Sequence, residues 1–148
     1  MGRARLRLDA AEVIRDCIAT RLRMADRMIT RVYDDALRPL GLKVTQMSML
    51  VVAEDRGLIR QSEVGGELQL DDSTLSRNLE RMRANGWLEE VPAEDARVHS
   101  YRLTDAGKAL LDKAIPPWRN AQTKAKRLLG DTGVQALRRF ALEQGFGG

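Results

Sequence analysis

The chain has 148 residues, one cysteine and a formal net charge of +4, with 43% hydrophobic, 31% charged and only 4% aromatic residues. That length suits a single domain, residues 1–148, with a real core, and the lone cysteine excludes an internal disulfide framework and fits a reducing cytoplasm. The longest apolar run, Met49–Ala53, is far too short to cross a bilayer, and Arg3, Arg5 and Arg7 have no apolar stretch behind them, so neither a membrane span nor a secretory signal is expected.

Apolar residues recur at Val13, Ile14, Cys17, Ile18, Leu22, Ala25, Met28, Ile29, Val32, Ala36 and Leu37. This is the spacing of one helix face and predicts a single long helix over 10–38, ended by Pro39 and Gly41. One small domain cannot hide such a stripe, so part of it reads as a subunit interface. A second helix is expected over Gln46–Asp55, capped by Thr45 and ended by Arg56-Gly57. A third, Glu63–Leu68, is capped by Ser62 and weakened by Gly65 and Gly66. After a turn at Gln69–Asp72, a fourth helix runs to Asn85, with Leu75, Leu79 and Met82 inward and Gly86 beyond its end.

Two strands follow, Leu88–Val91 and Val98–Leu103, joined by a charged tip that holds Asp95 and Arg97. Pro92 ends the first strand. Thr104 caps a helix from Asp105 to about Leu129, in which Pro116-Pro117 demands a kink or a break near Ile115. Gly130 ends it, and Asp131 or Thr132 begins a last helix to about Gln144, lined by Val134, Leu137, Phe140 and Ala141. The first eight residues and Gly145–Gly148 read as loose ends. The fold class is therefore mainly α with a small two-stranded β wing, in the order α-α-α-α-β-β-α-α.

A helix with a polar first turn beside a two-stranded flap is what a winged helix-turn-helix needs to read DNA. Ser73, Thr74, Ser76 and Arg77 stand at that helix start. Hydroxyls bond phosphates or bases, and an arginine can grip guanine O6 and N7 with both arms. Asp71 or Asp72 supplies the N-cap. The same residues also fit an ordinary capped surface helix. Bulk charge does not decide between these: residues 57–104 carry 6 Lys/Arg against 9 Asp/Glu, residues 1–56 carry 11 against 8, and residues 105–148 carry 8 against 4.

The wing adds a motif, Asp95-Ala96-Arg97 followed by Leu103-Thr104-Asp105-Ala106-Gly107. With Leu37 to Gln46, Ser73 to Arg77 and Gly86-Trp87-Leu88 upstream, the chain resembles the MarR-type (multiple antibiotic resistance regulator) family of transcription factors over roughly residues 10–145. The resemblance implies a homodimer built from the first and last helices, 10–38 and 105–145, carrying a DNA-binding lobe over 40–104. It implies a recognition helix in the major groove, Arg97 in the minor groove and Asp95 orienting nearby arginines. Family members often bind small aromatic effectors between the two lobes, where Trp118 could line the cavity. Some sense oxidants through a first-helix cysteine. Departures from the pattern are Gly65-Gly66 in the third helix, Gln69 at a turn position where glycine is common, and the net charge of −3 over 57–104.

Other residues read blandly. Cys17 falls on the apolar stripe with Ile14 and Ile18, which favours a buried structural cysteine over a redox sensor. His99 reads as a strand or DNA-backbone residue, because one histidine and one distant cysteine make no metal site. Asp34-Asp35 and Asp71-Asp72 are adjacent pairs whose side chains point apart on a helix, unsuited to paired acid/base work. No catalytic triad, P-loop or dinucleotide fingerprint is present, so neither an enzyme nor a cofactor is expected. The reading is a cytoplasmic, homodimeric DNA-binding regulator, a ligand-responsive repressor on a pseudo-palindromic operator. Its rivals are a dimeric protein-interaction module that has lost DNA binding and a thiol-based sensor using Cys17.

Overall fold

The computed structural model describes residues 2–145, and side chains over 9–145. The long helix expected over 10–38 is two helices, α1 (Gly2–Asp16) and α2 (Ile18–Leu37). Cys17 between them has ψ 108°, outside the helical region, with no proline or glycine there to announce the break. Residues 2–8, expected as a loose end, continue α1. Gly145 is a left-handed turn residue, φ 77°; residues 146–148 lie outside the described part. The Arg38–Leu40 turn and Gly41 then end α2, as the sequence predicts.

Helix α3 (Val44–Arg56) begins one residue before the expected cap Thr45. Its free N–H groups are met differently. Asp34 Oδ1, reaching from α2, accepts from the Val44 N–H at 2.9 Å, and Gln46 Oε1 accepts from the Lys43 N–H at 3.0 Å. A cap supplied from another helix leaves no local signature. Helix α4 (Gln61–Glu67) likewise starts before its predicted cap Ser62. Gly65 lets α4 pack closely on α5 (Asp72–Ala84): a Cβ there would come within 2.9 Å of Leu75 Cδ2, so the Leu75 side chain would have to shift.

The two wing strands pair as expected, and a third short strand joins their sheet. β1 (Ile59–Arg60), β2 (Leu88–Val91) and β3 (Ser100–Leu103) form an antiparallel sheet in the order β1-β3-β2. Ile59 faces Tyr101, and Leu88 faces Leu103. Two residues are too few for a period-2 pattern to reveal β1. Val98 and His99, expected within the second strand, precede it in the turn region.

Helix α6, Asp105–Glu143, consists of two helical stretches that meet at a kink at Gly130 (φ 70°, ψ 166°), where the sequence ends one helix and begins the next. Helical geometry passes through Pro116-Pro117, so the break expected near Ile115 is absent. Buried Ala114 and Ala121 on either side hold that stretch against the rest of the molecule, and tertiary packing outweighs the loss of two N–H donors. Thr104 caps α6 by accepting from the Gly107 N–H at 3.0 Å.

The core lies where these elements meet. Leu37, Leu42, Met49, Leu50, Ile59, Val64, Leu75, Leu79, Met82 and Leu88 are all buried, with Leu111 and Ala114 of α6 closing it. Val13, Ile14, Ile18, Leu22, Met28, Leu137 and Phe140 remain exposed in the single chain. Among the described residues, no helix is long and apolar enough to cross a membrane.

Candidate nucleic-acid interface

Helix α5 owes its orientation to burial of Leu75, Leu79 and Met82. Spacing of 3.6 residues per turn then leaves Ser73, Ser76, Arg77 and Arg81 on its exposed side. Asp71 is the N-cap. Its carboxylate accepts from the Thr74 N–H at 2.8 Å, from the Ser73 hydroxyl at 2.7 Å and from the Thr74 hydroxyl at 2.7 Å. The Ser73 and Thr74 hydroxyls hold the Asp71 carboxyl well below the usual carboxylate range. Both hydroxyl protons are thereby spent within the chain, and these two residues face outward as acceptors.

Most carboxylates near the site are engaged by basic partners of the chain itself. Glu67 pairs with Arg56 at 2.6 Å, Glu80 with Arg83 at 2.7 Å, Glu90 with His99 Nδ1 at 2.7 Å, and Glu89 with Arg102 across the sheet. Arg77 and Arg81 have no carboxylate within 4.0 Å among the described residues. These pairs do not remove the net charge of −3 over 57–104, but among the described residues they leave the guanidiniums of Arg77 and Arg81 unpaired, projecting one turn apart from α5.

At the wing tip, Asp95 Oδ1 accepts from the Arg97 backbone N–H at 3.0 Å and from Nε at 3.2 Å. These contacts pull the Asp95 carboxyl down from its ordinary pKa, the backbone hydrogen bond contributing most. The Arg97 side chain is 91% exposed. Asp95 thus fixes the base of an arginine whose side chain is otherwise largely in solvent.

A cleft of about 480 Å³ separates wing from helix. Its walls bring together Ser76 and Arg97, as the sequence suggests, with Arg60, Gln61, Ser62 and His99. Arg77, Ser73 and Thr74 lie outside its lining. Gln61 links three elements: its backbone N–H donates to the His99 carbonyl at 3.0 Å, and its side-chain Nε2 donates to Ser76 Oγ at 3.3 Å. Sequence reasoning missed Arg60, Gln61 and Arg81 as members of this surface and read Ser62 only as a cap. Arg81 was findable, standing one helical turn beyond Arg77; Gln61 and Arg60 carry no local signal.

A second cavity, about 430 Å³ and mostly apolar, lies between α3 and α6. Met47, Val51, Val52, Ile115 and Trp118 line it, so Trp118 stands where the sequence places it. In the single chain Cys17 lies among the exposed apolar residues of the stripe rather than in the core. It is half-exposed at the α1–α2 break, where hydrogen bonding to Thr20, with the Arg23 charge beyond it, lowers the thiol pKa. Tyr33 is far from it, donating its hydroxyl to Gln122 of α6. Among the described residues no group of His, Cys, Asp and Glu could hold a metal ion.

This geometry has known counterparts. A profile for a winged helix DNA-binding domain matches residues 51–107. The transcriptional regulator MosR of Mycobacterium tuberculosis, solved in complex with DNA, is 36% identical; the alignment covers 88% of this chain and 94% of MosR with a TM-score of 0.76. The chain belongs to the MarR family of winged helix-turn-helix transcription regulators. Within the family, the PecS regulator of Dickeya dadantii is 30% identical over 92 residues, 60% of this chain and 55% of PecS. The MarR protein of Salmonella typhimurium is 30% identical over 91 residues, 61% of this chain and 63% of MarR. The chain thus aligns with less than two thirds of these curated relatives. A mutant Escherichia coli MarR solved with operator DNA shares the fold, at 21% identity, TM-score 0.75, and 92% and 98% coverage. These relatives are regulators rather than enzymes.

Proposed function

We propose that this family member is a cytoplasmic homodimeric repressor that binds double-stranded DNA at a pseudo-palindromic operator and responds to a small aromatic ligand. The supporting observation is the pair of free guanidiniums, Arg77 and Arg81, on the exposed side of α5, with Arg97 across the cleft on the wing. Residues 40–104 form the DNA-binding lobe. Residues 10–38 and 105–145 form the dimerisation lobe, which agrees with their exposed apolar side chains. Two α5 helices about one helical turn of DNA apart, roughly 34–36 Å, read the half-sites.

Each DNA-binding residue has a role in this reading. Arg77 carries base discrimination by a bidentate guanine contact. Arg97 enters the minor groove, held by Asp95, and is attracted by the negative potential there. Ser73, Thr74 and Ser76 approach the DNA at the start of α5. The apolar cavity at Trp118 takes the ligand, and its position between lobes lets occupancy alter the spacing of the two α5 helices.

Selection from randomised duplexes followed by competition binding tests the reading. Wild type should select a symmetric site, and Arg77→Ala should flatten discrimination between that site and one with a half-site guanine changed. If wild type selects no sequence, the dimeric interaction-module alternative takes over. The half-exposed thiol supports a second input through Cys17. Peroxide releasing wild type but not Cys17→Ser from the selected site would establish that role.

A further inference from the structure

Three hydroxyls stand at the exposed start of α5, and they are not equivalent. The Ser73 and Thr74 protons are both committed to the Asp71 carboxylate. Ser76 is different. Its oxygen accepts from Gln61 Nε2 at 3.3 Å, and among the described residues its own proton has no acceptor. Gln61 can hold this position because it is half-buried, and its backbone N–H is tied to the His99 carbonyl at 3.0 Å. That tie is made by main chain, so it survives any side-chain replacement except proline.

We infer that Gln61 is a specificity-determining positioning residue: by donating to Ser76 it occupies one of the two lone pairs of the hydroxyl and biases Ser76 toward donating to a base that offers an acceptor in the major groove. The inference rests on the DNA-binding reading above. Ser76 opens onto the cleft whose far wall carries Arg97, so a base or backbone oxygen entering there meets that proton. In the major groove guanine offers N7 and O6, thymine O4 and adenine N7, whereas cytosine offers only its N4 amino group, a donor. A serine biased toward donating therefore disfavours cytosine at the base it faces. A serine free to rotate does not, since a hydroxyl can donate or accept.

Three replacements separate this from a merely structural role. Gln61→Leu removes the amide and frees the Ser76 rotor. Gln61→Glu replaces the donor with an acceptor, so that Ser76 gives its proton to the carboxylate and faces outward as an acceptor. Ser76→Ala removes the hydroxyl. The readout is a ratio: binding to the duplex selected by wild type against the same duplex with cytosine at each half-site position in turn. At one position wild type should disfavour cytosine by roughly three- to tenfold more than Ser76→Ala does, the effect of one hydrogen bond.

Gln61→Leu should lose most of that excess, and adding it to Ser76→Ala should change nothing further. Gln61→Glu should move the ratio toward cytosine, whatever its added charge does to overall affinity. A Gln61→Leu or Gln61→Glu protein that keeps the wild-type ratio at every position overturns the inference, as does uniform weakening on all duplexes. Should Gln61→Leu fail to fold, Gln61→Glu alone decides. If wild type selects no duplex at all, the DNA-binding reading falls first and this inference with it. Selection by wild type with unaltered Gln61 variants removes this inference alone.

Discussion

A Cβ atom on Gly107 would stand 2.2 Å from the Trp87 carbonyl oxygen. That oxygen already accepts from the Thr104 backbone N–H at 3.1 Å and from the Thr104 hydroxyl at 3.1 Å. The Leu-Thr-x-x-Gly motif therefore has a mechanical reason. Threonine caps α6 and ties it to the start of β2, and glycine allows the helix to lie on that backbone. The obstructing atom is main chain and cannot swing aside. Gly107→Ala should lower stability by about 3 kcal/mol, the upper part of the range for overpacking. Urea unfolding checks it, and a midpoint equal to wild type would refute the close approach.

Asp71 gives a pH-dependent contribution of known sign. Its folded pKa is depressed below the ordinary carboxylate range by the Ser73 and Thr74 hydroxyls. The stability it adds is fully present above the unfolded value, about 3.9, and is lost as pH falls through the folded value. Asp71→Ala should thus melt below wild type at pH 7, and the gap should narrow only below about pH 4. A gap that already closes between pH 7 and pH 5 would assign the cap to another group.

Arg97→Ala should separate DNA affinity from stability. The side chain is 91% exposed and pairs with Asp95, an exposed pair of small energetic value. DNA binding should weaken by about 1–3 kcal/mol, as for other specific contacts, with no change in Tm. Equal affinity at equal Tm would remove Arg97 from the interface.

Dimerisation follows from unpartnered apolar surface. Ile14 is 79% exposed, Ile18 68% and Phe140 60% in the single chain, more than isolated surface hydrophobics explain. Sedimentation at micromolar concentration should give a species of twice the 16.6 kDa chain mass. Charged replacements at Ile18 and Phe140 together should shift it to monomer. A wild-type species of chain mass alone would exclude the dimer.

What the sequence determined by itself is the part written in local chemistry. Burial of Leu75, Leu79 and Met82 follows from helical spacing, and it sets the orientation of α5. Asp71 and Thr104 are short polar side chains that cap from within their own turns. The Asp95–Arg97 pairing spans two residues and lies within the wing motif. What only the tertiary structure decided depends on groups distant in sequence. Asp34 caps α3 from another helix, and a two-residue strand exists because β3 lies alongside it. Cys17 opens a break that no local breaker announces, and α6 continues through two prolines. Gln61 meets Ser76 fifteen residues away. Local hydrogen bonds and helical periodicity are set within about one turn, so composition and spacing reveal them. A contact between separate elements is fixed only when the core closes, and no pattern along the chain records it.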